Sequence, residues 1–184
     1  MSNITKRAMA QSLKKMLLVK DLDKITITDI TNDCGINRQT FYYHFKDIYD
    51  LLEWIFANEV VEKIEKETTI ETWQENFKYV LNYMLKNKKF IIKTYNSLSR
   101  KTLLDFLFNQ YNKIFIEIVN NLSKNYNITK ENKIFIANFY KYGFAGIIEN
   151  WIVTEMKESP ESIIKKLGVM ISGSFEEAVR KMSN

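Results

Sequence analysis

The chain has 184 residues, with one Pro, five Gly and one Cys, and a net charge of +5. So few helix breakers, among many Leu, Ile, Lys, Glu, Asn and Phe, predict an all-α protein with room for one or two domains. No run approaches the ~18 uninterrupted apolar residues of a transmembrane helix. Charges interrupt what would be the apolar part of an N-terminal leader. A single cysteine forms no internal disulfide, so a cytoplasmic protein with no membrane partner is expected. There is no glycine-rich phosphate loop, no cluster at metal-ligand spacing and no nucleophile within reach of the lone histidine. No enzyme, metal or cofactor is therefore expected.

The charge is uneven. Residues 1–46 hold eight Lys or Arg against four Asp, a net of +4, and residues 47–184 hold nineteen against eighteen, a net of +1. A basic head on a near-neutral body is the electrostatic footprint of a nucleic-acid binder.

In chain order, residues 4–20 form a first helix with an apolar face of Met9, Ala10, Leu13, Met16 and Leu17. Lys6, Arg7, Lys14 and Lys15 lie outside that face. Residues 21–24 connect it to TDITNDCGINRQTFYYHF, which spans 28–45. Thr28 is expected to cap a short helix carrying Ile30 and Cys34. Gly35 allows the left-handed turn that stops it. Asn37 caps a second helix over 38–45, with Phe41 and Phe45 one turn apart and facing inward. Arg38, Gln39, Thr40, Tyr42, Tyr43 and His44 are left outside. This is the geometry of a helix-turn-helix whose second helix enters the DNA major groove. Ile25, Ile27, Ile30, Ile36, Phe41 and Phe45 would close a small three-helix core with the first helix. Cys34 is expected to pack there, with a redox role as the alternative.

A long helix follows over 47–68. Further helices are expected over 70–87, 90–99, 100–125 and 130–158, then one more from Pro160, capped by Ser159, to about residue 182. In the 130–158 helix, Phe139, Gly143, Gly146, Asn150 and Thr154 trace one face, flanked by Ile147 and Trp151. Two glycines one turn apart thin the helix and admit a close partner. The last helix offers Met170, Ile171, Ser174 and Phe175. These residues are expected to form a homodimer interface, a four-helix bundle on a twofold axis. The alternative is packing within one chain.

The run NRQTFYYHFKDIYDLL resembles the recognition-helix signature of the TetR family of bacterial transcriptional regulators. There a Ser or Asn cap is followed by Arg, a small residue or Gln, Thr, an aromatic, then Tyr-x-His-Phe. The resemblance covers roughly the first quarter of the chain. It implies a three-helix helix-turn-helix DNA-binding head over 1–46 and a C-terminal helical regulatory and dimerisation domain over 47–184, divided at the start of the helix that joins head to body in the family, acting as a homodimer on double-stranded DNA at an inverted-repeat operator. Arg38 and Gln39 would then reach base edges, Arg to G and Gln to A, and Thr40 would add a methyl or hydroxyl contact. Thr28, Asn37, Tyr42, Tyr43, His44 and Lys46 are expected at phosphates, which set register. For Tyr43 the alternative is core packing, and for His44 a partly buried spacer. The sequence departs from the family at Asp21, often Gly, and at Ile48, usually a phosphate-binding Lys whose place Lys46 is expected to take.

The resemblance also implies control by an effector bound to the body, a small molecule or a partner protein. The expected pocket lining is Trp73, Phe77, Met84, Tyr95, Phe106, Tyr111, Phe115 and Phe144, with core packing as the alternative. FYYHFKDIYDLLEWIF, with the late GFAGIIENW, is similar to a subgroup that includes the activator of dihydroxyacetone kinase operons. A second function class stays open: a helical protein-interaction adaptor that keeps the head fold without sequence-specific DNA binding.

Overall fold

The computed structural model describes residues 2–60, 72–97 and 100–183. All regular structure among them is helical, as expected. The chain forms two compact units, Met1–Lys63 with Asn87–Phe106, and Ile64–Lys86 with Leu107–Asn184. The boundary expected at residue 47 thus falls inside the first unit.

In the first unit, α1 (Ser2–Leu17) leads through a 3-10 turn at Leu22–Lys24 to α2 (Ile27–Asp33) and α3 (Arg38–His44). The cap of α2 is Thr26, two residues before the one expected. Its hydroxyl accepts from the Asp29 N–H at 3.1 Å, and the Asp29 carboxylate accepts from the Thr26 N–H at 2.9 Å. This is a reciprocal capping box, with a carboxylate three residues after a threonine. Thr28 lies inside the helix instead and faces solvent.

The helix ends as Gly35 takes φ +64. The Ile36 N–H then donates to the Thr31 carbonyl at 2.9 Å, and the Gly35 N–H to Asn32 at 3.2 Å. These two bonds are a Schellman closure, which a left-handed residue makes possible. They set the angle between α2 and α3. Met9, Ala10, Leu13, Leu17, Ile25, Ile30, Phe41 and Phe45 are buried, while Ile27 and Ile36 are half-buried.

The expected helix over 47–68 appears as α4 (Ile48–Glu59), capped by Asp47, and its residues beyond 60 lie outside the described residues. The packing shows why α4 belongs with the head. Trp54 meets Phe45 edge-on at 5.9 Å, and Lys14 on α1 bonds Glu59 at 2.6 Å.

Helix α5 (Trp73–Lys86) belongs to the second unit, and its expected start at Ile70 lies outside the described residues. Helix α6 (Lys88–Tyr95) returns to the first unit, where Phe90 packs against Phe56 at 5.6 Å. The expected end of that helix, at Leu98 and Ser99, is likewise outside the description. Helix α7 (Arg100–Leu122) begins in the first unit and continues in the second.

The second unit is completed by α8 (Lys130–Val153), α9 (Pro160–Ile171) and α10 (Ser174–Lys181). Ser159 caps α9, with Pro160 in its first turn, as the sequence suggests. The single last helix expected to about 182 is two helices. Gly173 at φ +72 breaks it, because a left-handed residue cannot continue a right-handed helix.

Candidate nucleic-acid interface

Helix α3 is held rigidly from both ends. The Asn37 side-chain oxygen accepts from the Thr40 N–H at 2.8 Å and from the Thr40 hydroxyl at 3.0 Å. At the other end Phe45 leaves the helix in extended conformation, and the Lys46 N–H donates to Asp50 at 2.9 Å. Phe41 is fully buried. This anchoring turns Arg38, Gln39, Tyr42 and Tyr43 to solvent and leaves Thr40 and His44 half-buried.

Tyr43 is 83% exposed, so it does not pack into the head core. Its edge meets the His44 ring at 4.9 Å. Arg38 donates to the Tyr42 hydroxyl at 3.3 Å, with its guanidinium 5.9 Å from that ring. The two side chains are one turn apart, so Tyr42 orients Arg38 in the free chain. Asn37 and Thr40 share one hydrogen-bond network with the start of the helix. Thr28 stands on α2 and Lys46 just past α3, both exposed.

Cys34 is half-buried at the end of α2. Burial raises its thiol pKa, and Asp33 adds to this. The thiolate, the reactive form, is thereby disfavoured. Asp29 is held below the usual carboxylate range, chiefly by the Thr26 N–H of the capping box.

In the second unit the expected pocket residues divide. Trp73, Phe77, Tyr111, Phe115 and Phe144 come together in the core, with Phe144 at the centre. Its ring lies 4.9 Å from Phe115, 5.1 Å from Phe77 and 5.6 Å from Trp73. They enclose a cavity of about 20 Å³, shared with Asn76, Val80 and Ile114. That is space for one water, against at least ~300 Å³ for a drug-sized ligand. The Tyr111 hydroxyl is buried without a hydrogen-bond partner among the described residues, and burial raises its pKa. Met84 is buried but lines no part of the cavity, Tyr95 belongs to the first unit, and the Phe106 side chain lies outside the described residues. A wider groove of about 710 Å³ runs between α5 and α9, along Gln74, Lys78, Glu161, Lys165 and Gly168. None of the expected pocket residues with described side chains lines it.

The expected interface residues divide as well. Phe139, Gly143, Gly146, Ile147 and Asn150 form an exposed face on α8, with Phe139 69% exposed, and Met170 is exposed on α9. Trp151, Ile171 and Phe175 do not belong to that face. Trp151 is buried, with its indole N–H donating to the Glu158 carbonyl at 2.8 Å. Phe175 stacks on Tyr140 at 3.6 Å, and Ile171 is buried beside it in sequence order on α9. Ser174 accepts from the Tyr140 hydroxyl at 2.8 Å. Burial inside one chain takes these side chains away from any partner. Phe135 and Tyr142, both exposed on α8, were missed, and their spacing from Phe139 could have found them.

Residues 71–173, more than half of the chain, match the TetR-type family model described as a transcriptional regulator C-terminal region. The chain belongs to the TetR family. This regulator is not an enzyme. It is 32% identical over 94 residues to the HTH-type dhaKLM operon transcriptional activator DhaS of Lactococcus lactis. That match takes in 51% of this chain and 50% of the other. The chain thus spans about half the length of that curated relative in the match. Among solved structures, the fold resembles the dihydroxyacetone kinase operon activator DhaS, with TM-score 0.70 and 23% identity over 98% of this chain and 99% of that one. It also resembles NalD of Pseudomonas aeruginosa, the secondary repressor of the MexAB-OprM multidrug efflux pump, with TM-score 0.60 and 12% identity over 100% and 98%. A Rhodococcus TetR regulator gives TM-score 0.57 and 10% identity over 91% and 96%. These structural likenesses establish the fold. Among the described residues, no helix of this TetR-family protein is long and apolar enough to cross a membrane.

Proposed function

We propose that this TetR-family regulator binds DNA as a homodimer at an inverted-repeat operator, with α3 of each protomer in the major groove. The observation that carries the proposal is the outer face of α3. Arg38, Gln39, Tyr42 and Tyr43 are held out to solvent by a capped helix whose Phe41 is locked in the core. Arg38 and Gln39 at the helix start suit base edges, G for Arg and A for Gln, with Thr40 behind them. Tyr42, Tyr43, His44 and Lys46, with Asn37 and Thr28, suit the flanking phosphates.

The exposed α8 face supports self-association. Phe135, Phe139, Tyr142 and Ile147 are exposed in the single chain, an apolar stripe of the kind that marks protein interfaces. Among the described residues, and apart from the helix's own adjoining backbone and the neighbouring residues in the chain, nothing lies within 4 Å of a side-chain position at Gly143 or Gly146. The chain's own packing therefore does not demand glycine there, whereas close approach of a second helix would. An effector, small molecule or protein, is expected to act through the body.

The test is selection of bound sequences from a random duplex library at near-physiological salt. Enrichment of an inverted repeat is expected. A folded, dimeric protein that enriches nothing would sink the operator reading and favour an adaptor role.

A further inference from the structure

The eight basic residues of the head fall into two sets. Lys14 meets Glu59 at 2.6 Å, Lys15 meets Asp33 at 3.0 Å, Lys20 meets Asp29 at 3.9 Å and Lys24 meets Asp21 at 3.6 Å. Lys6, Arg7, Arg38 and Lys46 have no carboxylate partner among the described residues. A paired cation presents little net field beyond a few ångströms, so the positive potential of the head comes from the second set.

Arg38 begins α3. Two others of the set stand at its far end. The Lys6 ammonium lies 5.5 Å from the Phe45 ring centre and 5.9 Å from the Trp54 ring centre. Lys46 follows Phe45 directly, with its backbone fixed to Asp50. Among the described residues, Arg7 has neither ring nor carboxylate to place it. We infer that Lys6 and Lys46 together form a clamp for a DNA backbone phosphate at the C-terminal end of α3. The inference rests on the reading of α3 as the groove helix.

Three physical points support it. A seven-residue helix is about 10 Å long. With its N-terminus at the bases of a groove about 12 Å wide, its other end comes to the phosphate wall. Ring faces attract an ammonium without neutralising it, and they occupy one side of a group with three donors, so Lys6 keeps its charge and its free N–H groups. The Lys6 side chain is half-buried, so its stem is already ordered and loses less freedom on meeting a phosphate.

The test uses the full chain, its selected operator and a random duplex, with affinity measured across a range of KCl. Lys6→Gln and Lys46→Gln should each make the slope of log affinity against log salt shallower by about one. Each should weaken operator and random duplex by the same factor. Lys6→Arg should restore the slope, and Lys15→Gln should leave it unchanged, since Asp33 already compensates that charge. Lys6→Met keeps the stem on both rings and reads the same quantity if Gln disturbs folding. A wild-type slope in Lys6→Gln and Lys6→Met would overturn the clamp. Arg38→Ala separates the two ideas. If it abolishes operator preference while the Lys6 variants keep the full slope, the clamp alone fails. If it keeps full preference, the base-reading role fails, and the Lys6 slope still decides the clamp.

Discussion

Helices α3 and α8 both turn a broad face to solvent, and the two faces are chemically opposite. That of α3 carries Arg38, Gln39, Tyr42 and Tyr43, groups that donate hydrogen bonds and hold charge. That of α8 carries Phe135, Phe139, Tyr142 and Ile147 around two glycines. Exposure alone is silent about partners. Donors and cations suit phosphates and base edges, whereas apolar rings lose little on leaving water and suit protein. The helices also differ in what holds them. Seven-residue α3 depends on its caps and on Phe41, while α8 is carried by aromatic packing along much of its inner side.

The strongest way to break this contrast is to remove the packing beneath α8. Phe144→Ala should cost about 3–5 kcal/mol, because the ring is central to the Trp73, Phe77 and Phe115 cluster. Urea unfolding followed by tryptophan fluorescence measures it. A loss under about 1 kcal/mol would mean that the cluster relaxes around the gap.

A smaller effect sharpens the other side. Arg38→Ala should cost about 1–3 kcal/mol of operator affinity and relax preference at one base pair in each half-site, with stability nearly unchanged. Affinity titrations on single-base operator variants check both parts.

The caps come next. Thr26→Ala should destabilise by about 1 kcal/mol, and Thr28→Ala by no more than ~0.5 kcal/mol, as measured by thermal unfolding. Equal losses would contradict the capping box. The box also has a pH signature. Asp29 has its folded pKa lowered, so its stabilisation is present above the unfolded value and disappears as pH falls through the folded one. Asp29→Asn should therefore flatten part of the acid limb of the stability curve.

The smallest expected change in stability is at the most exposed position of the α8 face. Phe139→Glu should alter monomer stability by no more than ~0.5 kcal/mol while shifting sedimentation toward monomer. An unchanged dimer would move the interface to another surface.

Much of the head was legible because its signals are local. Gly35 as the stop, Asn37 as the cap and the Phe41–Phe45 pair act within one or two turns, and the chain carries them wherever it goes. The one misplacement, Thr28 for Thr26, came from choosing between two threonines without weighing the carboxylate three residues on. In the body the legible part was the helices and the Ser159–Pro160 start. The candidate pocket and interface were only half legible. Trp151 and Phe139 are both aromatic and stand on one helix, about 120° apart in projection, and one is buried while the other is 69% exposed.

The sequence by itself determined the all-helical class, the helix-turn-helix and the basic head. Each follows from composition, short-range hydrogen bonding and residue identity at fixed spacing. Tertiary structure alone decided which body aromatics fill the core and which remain outside, that the space around Phe144 closes to about 20 Å³, and which lysines keep a free charge. Those outcomes depend on contacts between residues far apart in the chain, such as Lys14 with Glu59 or Phe144 with Phe77, and no local pattern encodes a neighbour that only folding supplies.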